Sequence, residues 1–390
     1  MNIGILIYDL NVGGAERCAA ELSKYLTAQG HHVYVFTKNH SRKKYDFSGK
    51  IVYLSKDEPL PGRQNNLKRF IQLLRLAREM KMLKKKYRIQ TAVSFMEDYN
   101  IPNVLSKTTE RIVIRVGTIL SARDDWDRQN LIYNPRFLKM IYNRADQVIV
   151  NSKDGKNELV HHYGVASNKL MIIPNTVETS LHSSDHGEWH CHGKVMVCVA
   201  RMAEVKQQAL LAEVFARVSS VRPDVTLLFV GNDKGHYAAE VKRILKKHGV
   251  CDKVIFTGQV QNVRFYLEHS DIYVSFAKVE GFSNALIEAL SAGLPAICMD
   301  APGATREILA PGTNRSRKPE TEYAEYGILL PLVDENKATQ TQIEWLANEM
   351  IKLLQDETLS TKYRVHAQEY ARGYSMKTVG KLWEQAVKHP

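Results

Sequence analysis

The chain has 390 residues, 44% of them apolar and 25% charged, with a formal net charge of +12. That length implies two domains or three small ones, and the composition excludes both a disulfide-stapled miniprotein and a disordered chain. The positive excess lies wholly in the first half: residues 1–180 hold 29 Lys and Arg against 17 Asp and Glu, and residues 181–390 hold 25 against 25.

The start, MNIGILIYDLNVGG, lacks the positive n-region and small-residue cleavage site of a secretory signal, and no apolar run is long enough to cross a bilayer. A cytosolic protein is expected. Its first run, NIGILIY, reads as a strand that turns through Gly13-Gly14 into the helical pattern AERCAAELSKYLTAQG. A glycine pair at a strand-to-helix turn lets backbone approach an anion closely, although the same pattern also fits an ordinary tight turn.

HVYVF and KIVYL read as the next strands. After them, Lys68 to Arg88 carries nine basic residues and one acid, Glu79. Leu67, Phe70, Ile71, Leu74 and Ala77 recur at helical spacing, with Leu73, Leu76, Met80 and Leu83 widening the stripe. The segment reads either as a helix lying on an anionic membrane surface or as a sheet-covering helix with a solvated charged face. Four more apolar runs, TAVSF, RIVIRV, QVIVN and LMIIP, complete a set of strands separated by helices, the signature of a parallel sheet covered on both faces.

A polar stretch without period, TVETSLHSSDHGEWHCHG, follows Ile173-Pro174-Asn175 and reads as an interdomain linker. Its His182, His186, His190, Cys191 and His192 are zinc-ligand types, but their spacing matches no zinc signature. KVMVCVA, VTLLFVG, KVIFTG, DIYVSF, LPAICM and YGILLPL then repeat the alternating scheme. The expected fold is therefore α/β, with two doubly wound domains in tandem. The five cysteines never form CxxC and read as reduced core thiols.

Two places in the second half carry chemistry. Off the strand KVMVCVA, Arg201 and Lys206 stand five apart, placed either to hold a phosphate from two directions or as plain surface cations. Off DIYVSF, Glu280 and Glu288 straddle a helix start near Ser283. A helix N-terminus between two carboxylates suits a diphosphate at its centre and hydroxyls at its edges, and a helix merely capped by Ser283 fits the spacing as well.

With GGAER, NSK at 151–153, IPN at 173–175, VARMAEVKQ, FVGND, FTGQV and SDIYVSFAKVEGFSNALIEALSAGLPAICMDAPGATREIL, the chain resembles family 4 of the retaining glycosyltransferases over nearly its whole length. The resemblance implies the GT-B architecture, two Rossmann-like domains facing across a cleft with the last helix crossing back to the first. The expected domains are 1–178 together with the helix in 374–390, on the acceptor side, and 179–373, which binds the nucleotide sugar. It makes Glu280 a contact to the transferred sugar and Glu288 the partner of the ribose. Arg201 and Lys206 would hold the diphosphate with Ser283 and the N–H groups of Asn284, Ala285 and Leu286, while Gly14 would approach from the other domain. No cofactor and no divalent metal are expected.

Two features depart from the family pattern. Many members carry His after the fifth strand of the first domain, where this chain has Arg115, which would either hold acceptor or donor phosphate or pair with a nearby acid. Asp125-Trp126-Asp127 matches the metal signature of the other main glycosyltransferase fold but reads better as an acceptor-side loop.

The resemblance implies transfer from a nucleotide sugar, UDP-linked by preference over GDP-linked, to a saccharide acceptor linked to polyprenyl diphosphate in surface-glycan synthesis. It would take place on the cytoplasmic face of the membrane, through residues 67–88. Competing readings are another GT-B enzyme such as a sugar-nucleotide epimerase, or a transferase with a soluble acceptor. Nucleic-acid binding rests on charge alone, lacks any recognised module, and is not expected.

Overall fold

The computed structural model describes residues 1–11, 13–38, 45–55, 66–122, 131–178, 191, 193–233, 235–313 and 317–388. It divides into two compact units, Met1–Thr176 with Met376–Pro390, and Val177–Ser375.

The first unit holds β1 (Asn2–Leu6), β2 (His32–Thr37), β3 (Lys50–Tyr53), β4 (Thr91–Phe95), β5 (Arg111–Val116), β6 (Gln147–Val150) and β7 (Leu170–Ile172). All pairs are parallel, in the order β3-β2-β1-β4-β5-β6-β7. Alternate side chains enter opposite cores: Ile3, Ile5, Val93, Val113 and Ile149 go to one face, and Leu6, Ala92, Ile112, Ile114 and Val148 to the other. Burial on both faces is why these strands read as continuous apolar runs.

The helix Met376–Val387 belongs to this unit although it comes last in the chain. Val379, Trp383, Ala386 and Val387 pack with Ile3, Ile5, Phe95 and Val113. Thr91 Oγ1 donates to the Val387 carbonyl and Arg111 Nε to the Ala386 carbonyl, each at 2.9 Å.

The second unit holds β8 (Lys194–Val199), β9 (Val225–Val230), β10 (Val254–Gly258), β11 (Ile272–Ser275), β12 (Ala296–Met299), β13 (Glu322–Tyr323) and β14 (Ile328–Leu330). Their order is β10-β9-β8-β11-β12-β14-β13, parallel except for β13. Two residues are too few to show a strand period, so β13 leaves no trace in the sequence pattern.

The basic segment forms the helix Asn66–Lys86, but its faces differ from the expected division into one apolar and one charged side. Leu73, Leu76, Ala77 and Met80 are buried, whereas Leu67, Ile71, Leu74 and Met82 are exposed. Two of the cations point inward. Arg69 pairs with Asp98 at 2.7 Å, and Lys84, 2% exposed, pairs with Glu110 at 2.9 Å. Lys84 Nζ also donates to the Asn103 carbonyl and to Ser106 Oγ. A long lysine crosses the apolar layer only because a buried carboxylate receives it.

Cys18, Cys198 and Cys298 are buried, as read, but Cys191 is half-buried and Cys251 exposed, and all five are free thiols. Among the described residues no helix is long and apolar enough to cross a membrane. Asp125, Asp127 and the linker residues His182, His186, His190 and His192 lie outside the described residues.

Candidate active site

Open parallel sheets bind ligands outside the strand carboxyl ends, where the strand order reverses. In the second unit that reversal falls between β8 and β11. Arg201 and Lys206 follow β8 and Glu280 follows β11, so the fold gathers them at one edge.

Lys206 ends a short 3-10 turn, Glu204–Lys206, and its ammonium is ion-paired with the Glu280 carboxylate. Their side chains are only 18% and 16% exposed, so water screens the pair weakly. The loop after β12 fixes Glu280 from the other side. Glu280 N–H donates to the Pro302 carbonyl at 2.9 Å, and Glu280 bridges Gly303. Gly303 has φ +118°, and a Cβ there would lie 1.3 Å from the Glu280 carbonyl oxygen, so only glycine permits this approach.

Behind Gly303, Arg306 is buried between Asp300 at 2.6 Å and Glu322 at 2.8 Å. Burial would raise the Glu322 carboxyl, but the Arg306 guanidinium overcomes this and holds it below the usual range. The pairing braces the turn that presents Gly303.

Gly231 does the same service for Arg201. Its φ is +149°, and a Cβ would stand 2.1 Å from the Ala200 carbonyl oxygen. Arg201 itself is exposed and has no ion-pair partner among the described residues.

The helix Asn284–Ser291 starts four residues beyond Glu280. Ser283 occupies its N-cap position, is buried, and makes no capping bond with its side chain. Its hydroxyl instead meets the phenol of Tyr273, which burial pushes well up. The Ser283 side chain therefore leaves the N–H groups of Ala285 and Leu286 uncapped at the positive end of the helix, while Asn284 N–H donates to the Phe282 carbonyl at 3.1 Å. Glu288 is half-buried further along the same helix. Lys278 N–H donates to the Val205 carbonyl at 2.8 Å and ties the two loops together. Arg201, Lys206, Glu280 and the Ser283–Leu286 turn thus share one carboxyl-end edge, where positive charge, a helix terminus and a carboxylate can meet a phosphorylated sugar, and Glu288 lies one turn further along the helix.

Two glutamines to which the sequence reading assigned no role hold this loop. Gln208 Nε2 donates to the Arg201 carbonyl at 2.9 Å and its Oε1 accepts from Ala203 N–H at 3.3 Å. Gln207 has left-handed backbone, φ 51° and ψ 38°, and is fully buried.

The remaining candidates lie in the first unit. Gly14 opens the helix Gly14–Ala28 at the carboxyl edge of β1. Glu16, in the first turn, is a carboxyl raised by burial and by Asp9 against a hydrogen bond from its own backbone. Arg115 is 4% exposed on β5 and donates to Cys18 Sγ and Asn175 Oδ1. Its guanidinium lies 5.8 Å from the Phe95 ring centroid and 5.5 Å from that of Trp383. No carboxylate is paired with it among the described residues.

Comparison with known proteins bears on this edge. Residues 12–181 match the family model described as Glycosyltransferase Family 4, and residues 193–356 the model described as Glycosyl transferases group 1. The N-acetylgalactosamine-N,N'-diacetylbacillosaminyl-diphospho-undecaprenol 4-alpha-N-acetylgalactosaminyltransferase of Campylobacter jejuni is 25% identical over 377 residues, 95% of each chain. An uncharacterized glycosyltransferase of Methanocaldococcus jannaschii is 28% identical over 64% of this chain and 65% of its own length, so the chain spans just under two thirds of that relative. Among solved structures, sucrose-phosphate synthase from Thermosynechococcus elongatus superposes with a TM-score of 0.78 at 19% identity, covering 98% of each chain. The HepE protein of Anabaena in complex with UDP superposes with a TM-score of 0.76 at 17% identity, covering 99% of each. Both share the fold.

Proposed function

The chain belongs to the family 4 glycosyltransferases, and from that premise we propose that it moves a sugar from a nucleotide sugar, UDP-linked by preference over GDP-linked, to a polyprenyl-diphosphate-linked saccharide with retention. The observation that carries the reading is the ion-paired Lys206 and Glu280 beside a helix start left open by its own N-cap residue. In this reading Arg201 and Lys206 take the diphosphate with the N–H groups of Asn284, Ala285 and Leu286. Ser283 shapes that turn, Glu288 meets the ribose and Glu280 the transferred sugar. Charge developing on the leaving diphosphate then meets preorganised cations and a helix dipole, the arrangement electrostatic catalysis requires, without a divalent ion.

The first unit takes the acceptor. Gly14 belongs to the turn nearest the carboxyl end of β1, and Arg115 is a buried cation able to serve an acceptor or donor phosphate. Asp125, proposed to serve the acceptor, lies outside the described residues. A lipid-linked acceptor is favoured by the name of the Campylobacter relative, which specifies a diphospho-undecaprenol substrate. UDP is favoured by the HepE complexes with UDP and with UDP-glucose.

Peripheral attachment to the cytoplasmic face of the membrane is proposed through residues 67–88. Exposed Lys68, Arg75, Arg78, Lys81, Lys85, Lys86 and Arg88 would face anionic lipid, with Leu67, Ile71, Leu74 and Met82 among them.

The test is a thermal-shift panel of UDP- and GDP-sugars, since a ligand of the folded state raises the melting temperature by mass action. The donor found is then supplied with lipid-linked acceptor and the anomeric configuration of the product read by NMR. Retention, with turnover that survives EDTA, is expected. Inversion, or activity lost to chelator and restored by magnesium or manganese, would overturn the mechanism. Isomerised nucleotide sugar without transfer would point to an epimerase, and transfer to free saccharide alone to a soluble acceptor.

A further inference from the structure

We propose that Gln207 is the positioning residue that aims Lys206 at the reacting phosphates, an inference that rests on the function proposed above. Lys206 is the last residue of its turn and Gln207 the next, so the conformation of Gln207 sets the direction in which the Lys206 side chain leaves the backbone. Gln207 has left-handed backbone, which β-carbon-bearing residues adopt rarely and mostly where the surroundings enforce it.

Its backbone is held on both sides, Gln207 N–H donating to the Glu204 carbonyl at 3.0 Å and Leu211 N–H to the Gln207 carbonyl at 3.1 Å, and its side chain adds the contacts that reach other segments. Nε2 donates to the Phe276 carbonyl at 2.7 Å and to the Val333 carbonyl at 2.9 Å, with Met299 Sδ at 3.4 Å. Oε1 accepts from Glu335 N–H at 2.7 Å. One fully buried amide therefore joins the chain just beyond β11, the end of β12 and the segment after β14. Two N–H donors and a carbonyl acceptor are used at once, a set that only a primary amide of this length supplies.

The same frame reaches Glu280, the ion-pair partner of Lys206. Phe276 stands four residues before Glu280 on the same loop, and Lys278 N–H is bonded to Val205. Gln207 thus fixes the ammonium and the carboxylate in one frame. Further out, the frame is closed by Tyr237, whose hydroxyl donates to Glu335 Oε2 at 2.6 Å, and by Lys278, paired with Asp334 at 3.1 Å. Gln207 itself is fully buried.

A double-mutant cycle separates this role from a merely structural one. Donor turnover, followed as nucleotide release, is measured for the wild type, Gln207→Gly, Lys206→Ala and the double variant. Glycine accepts the left-handed backbone, so Gln207→Gly folds but loses the tether. Its kcat is expected to fall on the order of 10- to 100-fold, since displacement of a catalytic group by about 1 Å costs that much, while donor KM changes by less than about twofold.

On the Lys206→Ala background the same substitution is expected to cost less than about twofold, because residues that act as one unit are not additive. Gln207→Glu keeps the acceptor but loses both donors when ionised. Its activity relative to wild type is expected to rise toward acid pH, as protonation restores one O–H donor. Should Gln207→Gly fail to melt cooperatively, Gln207→Asn replaces it, since Asn tolerates left-handed backbone and is too short to span the three segments.

Additive losses in the cycle, or wild-type kcat in Gln207→Gly, would overturn the inference. A wild type inactive on every UDP- and GDP-sugar would overturn the proposed function and this inference with it, whereas an active wild type with additive losses removes only the role of Gln207.

Discussion

Lys206 and Glu280 neutralise one another in the ligand-free chain, and a diphosphate entering beside them competes with a carboxylate for the same ammonium. The two side chains therefore act as one unit. Lys206→Ala and Arg201→Ala are each expected to lower turnover on the order of 100-fold or more, the scale seen when a preorganised charge-stabilising group is removed. Glu280→Gln should depress kcat while sparing nucleotide affinity, and Glu288→Gln should weaken nucleotide binding while largely sparing kcat. Steady-state kinetics and calorimetry with UDP separate the two effects, and equal behaviour of both variants would refute the division of roles. The carboxylates, the cations and the helix start were legible because each lies within a few residues of a strand end. The role of Gln207, at the end of the run VARMAEVKQ, was not, since its partners Phe276, Val333 and Glu335 lie 69 to 128 positions away. The same holds for Arg115, whose partners Cys18 and Asn175 lie 97 and 60 positions away.

In the helix Asn66–Lys86, periodicity established the element but could not say which apolar residues face the sheet, because apolar positions run around more than half of the helix. Length and partners decide. Lys84 finds the buried Glu110, Arg69 the half-buried Asp98, and both turn inward, whereas Leu67, Ile71, Leu74 and Met82 turn outward. Replacing Lys81, Lys85 and Lys86 with Gln should weaken binding to anionic liposomes by about 1 kcal/mol per charge at low salt, and replacing Ile71 and Met82 with Ser should lower the fraction that resists high salt. Flotation at both salt levels reads these two contributions, and no binding by the wild type at low salt would leave the helix a solvated cover for the sheet.

Lys84 belongs to stability instead. Lys84→Met leaves Glu110 buried without its cation, and a loss of about 3–5 kcal/mol at pH 7 is expected. Burial lowers Lys84 to about 8 against the pull of Glu110. Burial would raise Glu110, yet Lys84 and the hydrogen bonds from Thr108 hold it below its ordinary value. A carboxyl depressed on folding stabilises above its unfolded pKa and ceases to as pH falls through the folded one. The melting-temperature gap between wild type and Lys84→Met should therefore close as pH is lowered from 7 to below 4.

For the whole molecule, two tandem parallel sheets were legible because strands buried on both faces announce themselves as unbroken apolar runs. The antiparallel β13 was not, being two residues long. The helix Met376–Val387 completes the hydrophobic core of a unit whose sheet ends at residue 172. Residues 177–375 intervene. At roughly 5–20 residues per second, their synthesis occupies about 10–40 s during which the nascent first unit lacks Val379, Trp383 and Val387. Part of its core must stay open while the second unit folds. A released chain ending at Ser375 should show a protease-sensitive first unit and a resistant second one, and the chain through Pro390 should protect both. The portion of this protein made first is thus the portion finished last, which makes it the one most exposed to chaperones and to premature truncation.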